Sequence, residues 1–380
     1  MKANSEINEI NFLDEIDCIE EEYIKKFGVK PLNVSNWNSS YDFKSDLVEL
    51  IEINEPFNQL DYIFSYSESE DIKKSVLAKL GFTDKSILFT HSGSASIINT
   101  VNLLKCSGIT KIVTLCPAYF TLFHACKVFS IELVPIYLHR NNDVFYFDNN
   151  EFAELSSPDT AYWITNPIYC TSVYYTLQQI DFLKILLNNN MVVFDESLSI
   201  VGKEIGRIIG DNPNFIGIYS PHKTICMNGR KFSCTISNKY NQNVLDAWSD
   251  VFCGCLGVSN DLAISHFLSQ NYDTYSIAFH KKINIEFNKI IAICEKHNIS
   301  YDKKANGYLI TLYFPNISAE KGLEISFAKD IMFNTGIRYI SGIRNHFSKE
   351  LGFCFRINLS SLKSSDYYLI EKAIIYLKNI

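Results

Sequence analysis

Apolar and polar positions along the chain repeat with two periods, near 2 and near 3.6, and the switches between them mark the elements. Residues 71–81 (Asp-Ile-Lys-Lys-Ser-Val-Leu-Ala-Lys-Leu-Gly) carry the helical period and close on Gly81. Ser86 to Thr90 is a short apolar strand, and Gly93 then opens a helix to about Leu104. Strands follow at Lys111–Leu115, Ile131–Ile136, Ala161–Thr165 and Phe215–Tyr219, with helices at Pro117–Val128 and Leu177–Asn188. Met191-Val-Val-Phe194 is a fully apolar strand ending at Asp195. This alternation, over about residues 85–240, predicts an α/β fold: a mainly parallel sheet sandwiched by helices. The helical period returns over 256–298 and ends in a long amphipathic run, Lys281 to His297. Strand-like pieces at Tyr308–Tyr313 and Phe353–Leu359 and a terminal helix, Asp366 to Leu377, complete a smaller α+β unit. The expected organisation is an N-terminal segment (1–45) packing on the small domain, a large domain (46–255) and a small C-terminal domain (256–380).

Composition narrows the function classes. A chain of 380 residues suits two domains. Acidic residues outnumber basic ones, 42 to 35, for a net charge of −7; this disfavours nucleic acid and polybasic membrane contact. No apolar run reaches the roughly 18 residues of a membrane span. The first twenty residues, rich in Asn, Glu and Asp, are unlike a secretory signal. Eleven scattered cysteines, with Cys253-Gly-Cys255 as the nearest pair, read as reduced thiols in a cytoplasmic setting. The eight histidines follow no zinc-ligand spacing, so no metal is expected. A Rossmann dehydrogenase is disfavoured because Ser92-Gly-Ser-Ala-Ser96 has one glycine where the dinucleotide motif needs three.

In parallel α/β sheets, ligands sit beyond the carboxyl ends of the strands. The polar residues at those ends are Gly93-Ser94, Pro117-Ala118-Tyr119, Asn166-Pro167, Asp195-Glu196 and Ser220-Pro221-His222-Lys223. Together they offer an amine, a carboxylate, an aromatic ring and a glycine at a helix start, where backbone N–H groups favour an anion.

Six segments in order then resemble the aminotransferase class I/II family of pyridoxal 5′-phosphate (PLP) enzymes, the aspartate-aminotransferase fold or fold type I. They are His91-Ser-Gly-Ser-Ala-Ser96, Pro117-Ala-Tyr119, Thr165-Asn-Pro167, Phe194-Asp-Glu-Ser197, Ser220-Pro-His-Lys-Thr-Ile-Cys-Met-Asn-Gly229 and Phe355-Arg-Ile-Asn-Leu359. Asn166 precedes Asp195 by 29 residues, and Asp195 precedes Lys223 by 28.

The resemblance implies a role for each segment. Lys223 would hold PLP as a Schiff base and shuttle protons. Asp195 would keep the pyridine nitrogen protonated so that the ring acts as an electron sink. Gly93, Ser94, Ala95 and Ser220 would bind the phosphate. Lys231 stands where the family often has a phosphate-clamping arginine, with Arg230 beside it as the alternative; lysine offers a point charge without a fork. Tyr119 would stack on the ring. The family's second Asn of Asn-Pro-x-Asn-Pro-Thr-Gly is replaced by Tyr169 and its Gly by Ser172, so either Tyr169 or Asn166 would donate to the ring's phenolic oxygen. The family's tyrosine three residues after the aspartate is Leu198 here. Arg356 would take the substrate α-carboxylate in two parallel hydrogen bonds. Tyr66 would reach the neighbouring subunit's phosphate, and His222 would either face the cofactor or pack behind the lysine loop. Specificity would come from the segments around Trp37 and Arg344, with Arg344 meeting either a second carboxylate or solvent.

The expected function is therefore a PLP-dependent aminotransferase acting on an α-amino acid and a keto acid, as a homodimer. The alternative is another PLP reaction on the same fold: a decarboxylase, a β- or γ-lyase or an oxidative enzyme. A non-catalytic member of the fold is the third possibility.

Overall fold

The structure is a computed structural model and describes residues 8–44, 47, 66–141, 143–254 and 256–380. The expected domain border at residues 45–46 falls outside these, as does Cys255. The strands, in chain order, are β1 (Leu32–Asn33), β2 (Ser86–Thr90), β3 (Lys111–Cys116), β4 (Glu132–Tyr137), β5 (His139–Asn141), β6 (Val144–Tyr146) and β7 (Thr160–Thr165). They continue with β8 (Met191–Glu196), β9 (Phe215–Tyr219), β10 (Ser233–Ser237), β11 (Ser300–Tyr301), β12 (Leu309–Phe314), β13 (Ile337–Arg338) and β14 (Phe353–Asn358).

The large sheet runs β2–β10–β9–β8–β7–β3–β4. All its pairings are parallel except the two made by β10. Side chains alternate between its faces. Ile112, Trp163, Val193 and Ile218 meet Ile97 and Val101 of the helix Gly93–Cys106 and Leu122 of the helix Phe120–Val128. Val113, Tyr162, Phe194 and Tyr219 belong to the core on the opposite face, with Leu183 of the helix Leu177–Leu186. Burial on both faces is why these strands read as continuous apolar runs.

Two differences from the sequence expectations have local causes. The helix after β3 begins at Phe120, not Pro117, because Pro117-Ala118-Tyr119 forms the turn before it. β10 escaped the apolar pattern: it reads Ser-Cys-Thr-Ile-Ser, and its hydroxyls are buried by pairing with the facing helix. Ser96 donates to Ser233 at 2.9 Å, and Thr100 and Thr235 share a bond at 3.2 Å. The helix Ile325–Thr335 was also not expected.

A second, antiparallel sheet runs β11–β12–β14 and pairs Thr311 with Arg356. The helix Gln270–Lys296, about 40 Å long at 1.5 Å per residue, buries Phe279, Ile283 and Ile290. The helix Asn8–Phe27 lies on the helix Ile325–Thr335, with the Tyr23 and Phe333 rings edge-on at 5.7 Å. Arg338 pairs with Asp17 at 2.7 Å, and β1 pairs in parallel with β13. Among the described residues, no helix is long and apolar enough to cross a membrane.

Candidate active site

The segments that follow β2, β3 and β9 line a cleft of about 250 Å³; Ala95, Asn166, Tyr169, Asp195 and Arg356 are not among its wall residues. Its walls include Gly93, Ser94, Tyr119, Ser220, Lys223 and Lys231 from the sequence expectations, together with Trp37, Asn228 and Phe232. Arg230 is not among those wall residues.

Lys223 sits in the 3-10 turn Pro221–Ile225 immediately after β9. The turn is anchored from below: Tyr272 and Thr224 both donate to the Pro221 carbonyl, at 2.9 and 2.7 Å. The Lys223 amine stands over two ring faces, 4.8 Å from the centroid of Tyr119 and 5.3 Å from that of Trp37. His222 points the other way and is wholly buried. Its Nε2 lies 3.1 Å from Nδ1 of His266, and its ring meets Tyr272 edge-on. Of the two orientations left open for His222, the structure has it packed behind the lysine turn.

At the opposite wall, Ser92 caps the helix Gly93–Cys106 by accepting from the Ala95 N–H at 3.3 Å. The first-turn amides therefore face the cleft end of the helix, where an anion is favoured. Gly93 is required by close approach: a Cβ there would lie 3.0 Å from Ser220 Oγ and 3.4 Å from Ser197 Oγ. Ser220 is itself oriented by Ser233, which it meets at 2.9 Å.

Asp195 and Glu196 are neighbours on β8 and so project to opposite faces of the sheet. Asp195 lies on the face of the helix Gly93–Cys106. It accepts from Ser197 O–H at 2.6 Å and Ser197 N–H at 3.2 Å, both on Oδ1. Burial pushes its carboxyl above the ordinary range; the Ser197 bonds and the Lys223 charge act against that shift. Glu196 is buried on the other face. It accepts from Asn166 Nδ2 (2.8 Å), Ile205 N (2.6 Å), Gly206 N (3.1 Å) and Tyr219 O–H (3.0 Å). Desolvation raises it to about 7. The Asn166 amide nitrogen is thus committed to Glu196, and its Oδ1 is left buried without a partner.

Tyr169 is buried, with its ring edge-on to Tyr119 at 5.6 Å, and burial pushes its phenol up. The loop carrying it docks onto β12. Thr311 Oγ1 donates to the Cys170 carbonyl at 2.9 Å, and Ser172 Oγ accepts from the Leu309 N–H at 3.3 Å. Cys170 and Ser172 both adopt left-handed backbone, at φ 68° and 55°. The hydroxyl of Ser172 occupies space that Gly307 leaves open, since a Cβ at Gly307 would meet it at 2.7 Å.

Arg356, on β14, is 2% exposed. Its Nη2 donates to the Ser35 carbonyl at 3.2 Å and its Nη1 to the Cys170 sulfur at 3.5 Å, while its Nε has no partner. The Trp37 ring covers the guanidinium at 4.8 Å. Trp37 therefore contacts both cations, Lys223 and Arg356. The Trp37 carbonyl is held by Asn228 Nδ2 at 2.6 Å, which ties this N-terminal strap to the lysine loop.

Tyr66 is outside the cleft walls: its N–H donates to Asp261 at 3.2 Å. Arg344 lies in the turn Gly342–Asn345, also outside those walls. Sequence reasoning missed Ser197, Asn228 and the contact between Trp37 and both cations. Of these, Ser197 had a local signal, a hydroxyl two residues after a strand-end aspartate.

No protein-family model matches the chain, and no curated protein matches it by sequence. Solved structures match over nearly its whole length. Bna3p of Saccharomyces cerevisiae, a putative kynurenine aminotransferase, has a TM-score of 0.76 at 12% identity, covering 96% of this chain and 95% of that one. YbdL of Escherichia coli, with a methionine aminotransferase function, has a TM-score of 0.73 at 12% identity, covering 96% and 97%. A PLP-bound C-S lyase of Staphylococcus hominis has a TM-score of 0.68 at 17% identity, covering 89% and 86%. The chain has the fold of these PLP-dependent enzymes, the aspartate-aminotransferase fold.

Proposed function

We propose that this chain is a PLP-dependent aminotransferase that takes an α-amino acid. The observation that carries the proposal is the placement of Lys223 in one wall of a cleft whose other wall is a glycine-started helix, with the buried Asp195 nearby.

The residues present fit the cofactor. The crevice kept open by Gly93 against Ser220, the first-turn amides, the Ser94 hydroxyl and the Lys231 ammonium form a donor set for a phosphate, which the Ser220 hydroxyl joins on turning from Ser233. Tyr119 offers a ring face. Both bonds from Ser197 fall on Oδ1 of Asp195, which leaves Oδ2 for a protonated ring nitrogen. When bound, PLP would supply an electron sink for charge at the substrate Cα.

The chain's own residues do the rest. Arg356 takes the α-carboxylate through donors that are incompletely used in the protein alone. A buried cation so sparsely partnered favours a carboxylate strongly. Lys223 Nζ is the base that removes the Cα proton. Trp37, lying over both Lys223 and Arg356, orients the amino acid between them and excludes water from that side.

Support for the alternative, another PLP reaction on this fold, comes from the phenolic-oxygen partner. The Asn166 amide is bound to Glu196, so that donor falls to Tyr169. Transfer of a ¹⁵N label from a donor amino acid to a keto acid, followed by mass spectrometry, tests the proposal. Label in the new amino acid supports it; ammonia or carbon dioxide released without a keto acid overturns it in favour of the alternative.

A further inference from the structure

Asp195 presents a physical difficulty. To hold a ring nitrogen protonated its carboxyl must be ionised, yet it is 3% exposed, and burial disfavours the charged form. The neighbouring groups do little to offset this. Among the titratable groups of the cleft, Lys223, Lys231 and Tyr119, the one whose charge bears on Asp195 is Lys223. Glu196 faces the other side of the sheet. The register partners of Asp195, Thr165 on β7 and Ile218 on β9, do not titrate. The first turn of the facing helix, Gly93-Ser94-Ala95-Ser96, carries no titratable side chain either.

We infer that Ser197 is a positioning residue that keeps Asp195 ionised and fixes its orientation. It donates twice to the same oxygen, from its hydroxyl at 2.6 Å and from its backbone N–H at 3.2 Å. Hydrogen bonds to an ionised acceptor are the strong ones, and they favour the charged form. Fixing Oδ1 from one residue also sets the rotation of the carboxylate and directs Oδ2 to the remaining position. Ser197 is itself 5% exposed. Its hydroxyl lies beneath Gly93, where a Cβ would come within 3.4 Å. It therefore connects the two halves of the site, the strand-end acid and the helix start. This inference rests on the proposed PLP chemistry.

The test compares wild type, Ser197→Ala and Ser197→Thr as PLP-loaded proteins. Three quantities are measured: the pH titration of the visible absorbance of lysine-bound cofactor, the dissociation constant for PLP, and kcat and KM for the amino-acid half-reaction. Ser197→Ala is expected to move the low-pH transition upward by roughly one unit. Its kcat should fall about tenfold near neutral pH with KM nearly unchanged. Ser197→Thr, which keeps the hydroxyl, should restore the wild-type titration. An unshifted titration in Ser197→Ala overturns the inference, as does a change confined to thermal stability or KM. Wild type that binds PLP but transfers no amino group would sink the aminotransferase reading alone, because the absorbance titration still decides the role of Ser197. Wild type that does not bind PLP would overturn both.

Discussion

Arg356 and Glu196 are both buried ionisable side chains, and they are hydrogen-bonded in opposite ways. Arg356 has a carbonyl, a thiol and an indole face; Glu196 has four donors. Arg356→Lys keeps the charge and loses the planar fork. It is expected to raise KM for α-amino acids by about 100-fold, the equivalent of a lost charge-assisted bond. PLP affinity should stay within a few-fold, and steady-state kinetics beside a cofactor titration checks both.

Glu196 makes a pH prediction. Its folded value, about 7, lies above the ordinary 4.5. The folded state therefore holds the proton over that window, and stability contributed by the neutral acid is lost as pH rises through about 7. Glu196→Gln cannot titrate. It should be less stable than wild type at pH 5, because its NH₂ group faces donors. The gap should narrow by on the order of 3 kcal/mol by pH 8. Urea midpoints at both pH values measure it, and a gap that widens would contradict the assignment.

At the scale of elements, the site is assembled from turns held by distant strands. The strap at residues 35–40 bonds to Arg356, Asn358, Ser360 and Asn228 through its carbonyls and one N–H. Trp37 is its one ring over the cleft cations. Trp37→Ala is expected to raise KM for amino acids about tenfold, in line with lost cation–π and packing contacts. It should leave the lysine-bound absorbance of PLP in place; loss of that absorbance would mean that the strap supports the cofactor instead. Gly93→Ala puts a methyl group 3.0 Å from Ser220 Oγ and should weaken PLP binding at least tenfold in a fluorescence titration.

These elements also explain what could be read from the sequence. The lysine turn, the glycine helix start and Asp195 were legible because each follows an apolar strand, and strand ends are where such sheets bind ligands. β10 was not, because its hydroxyls hide a buried strand in a polar pattern. Nor was the position of Trp37, which depends on bonds to residues such as Asn228 and Arg356, 191 and 319 positions away (228 − 37 and 356 − 37). The commitment of Asn166 to Glu196 was equally out of reach, since two residues 30 apart meet only after β7 and β8 pair.

At the scale of the molecule, the same fold is reached at 12% identity to Bna3p. The shared requirement is physical: strands buried on both faces, helices on each side, and polar turns at one end of the sheet. The second sheet carries Arg356 on β14, paired with β12, and sets its guanidinium against Trp37 of the N-terminal strap, a wall residue of the cleft. The central claim is that these parts meet to move an amino group through Lys223. Visible absorption of the purified protein with PLP, beside Lys223→Ala, tests it most directly. Wild type should show the band of lysine-bound cofactor, lose it to the amine form when an amino acid is added, and regain it with a keto acid, while Lys223→Ala shows no such cycle. A wild-type spectrum indistinguishable from that of Lys223→Ala would contradict the account.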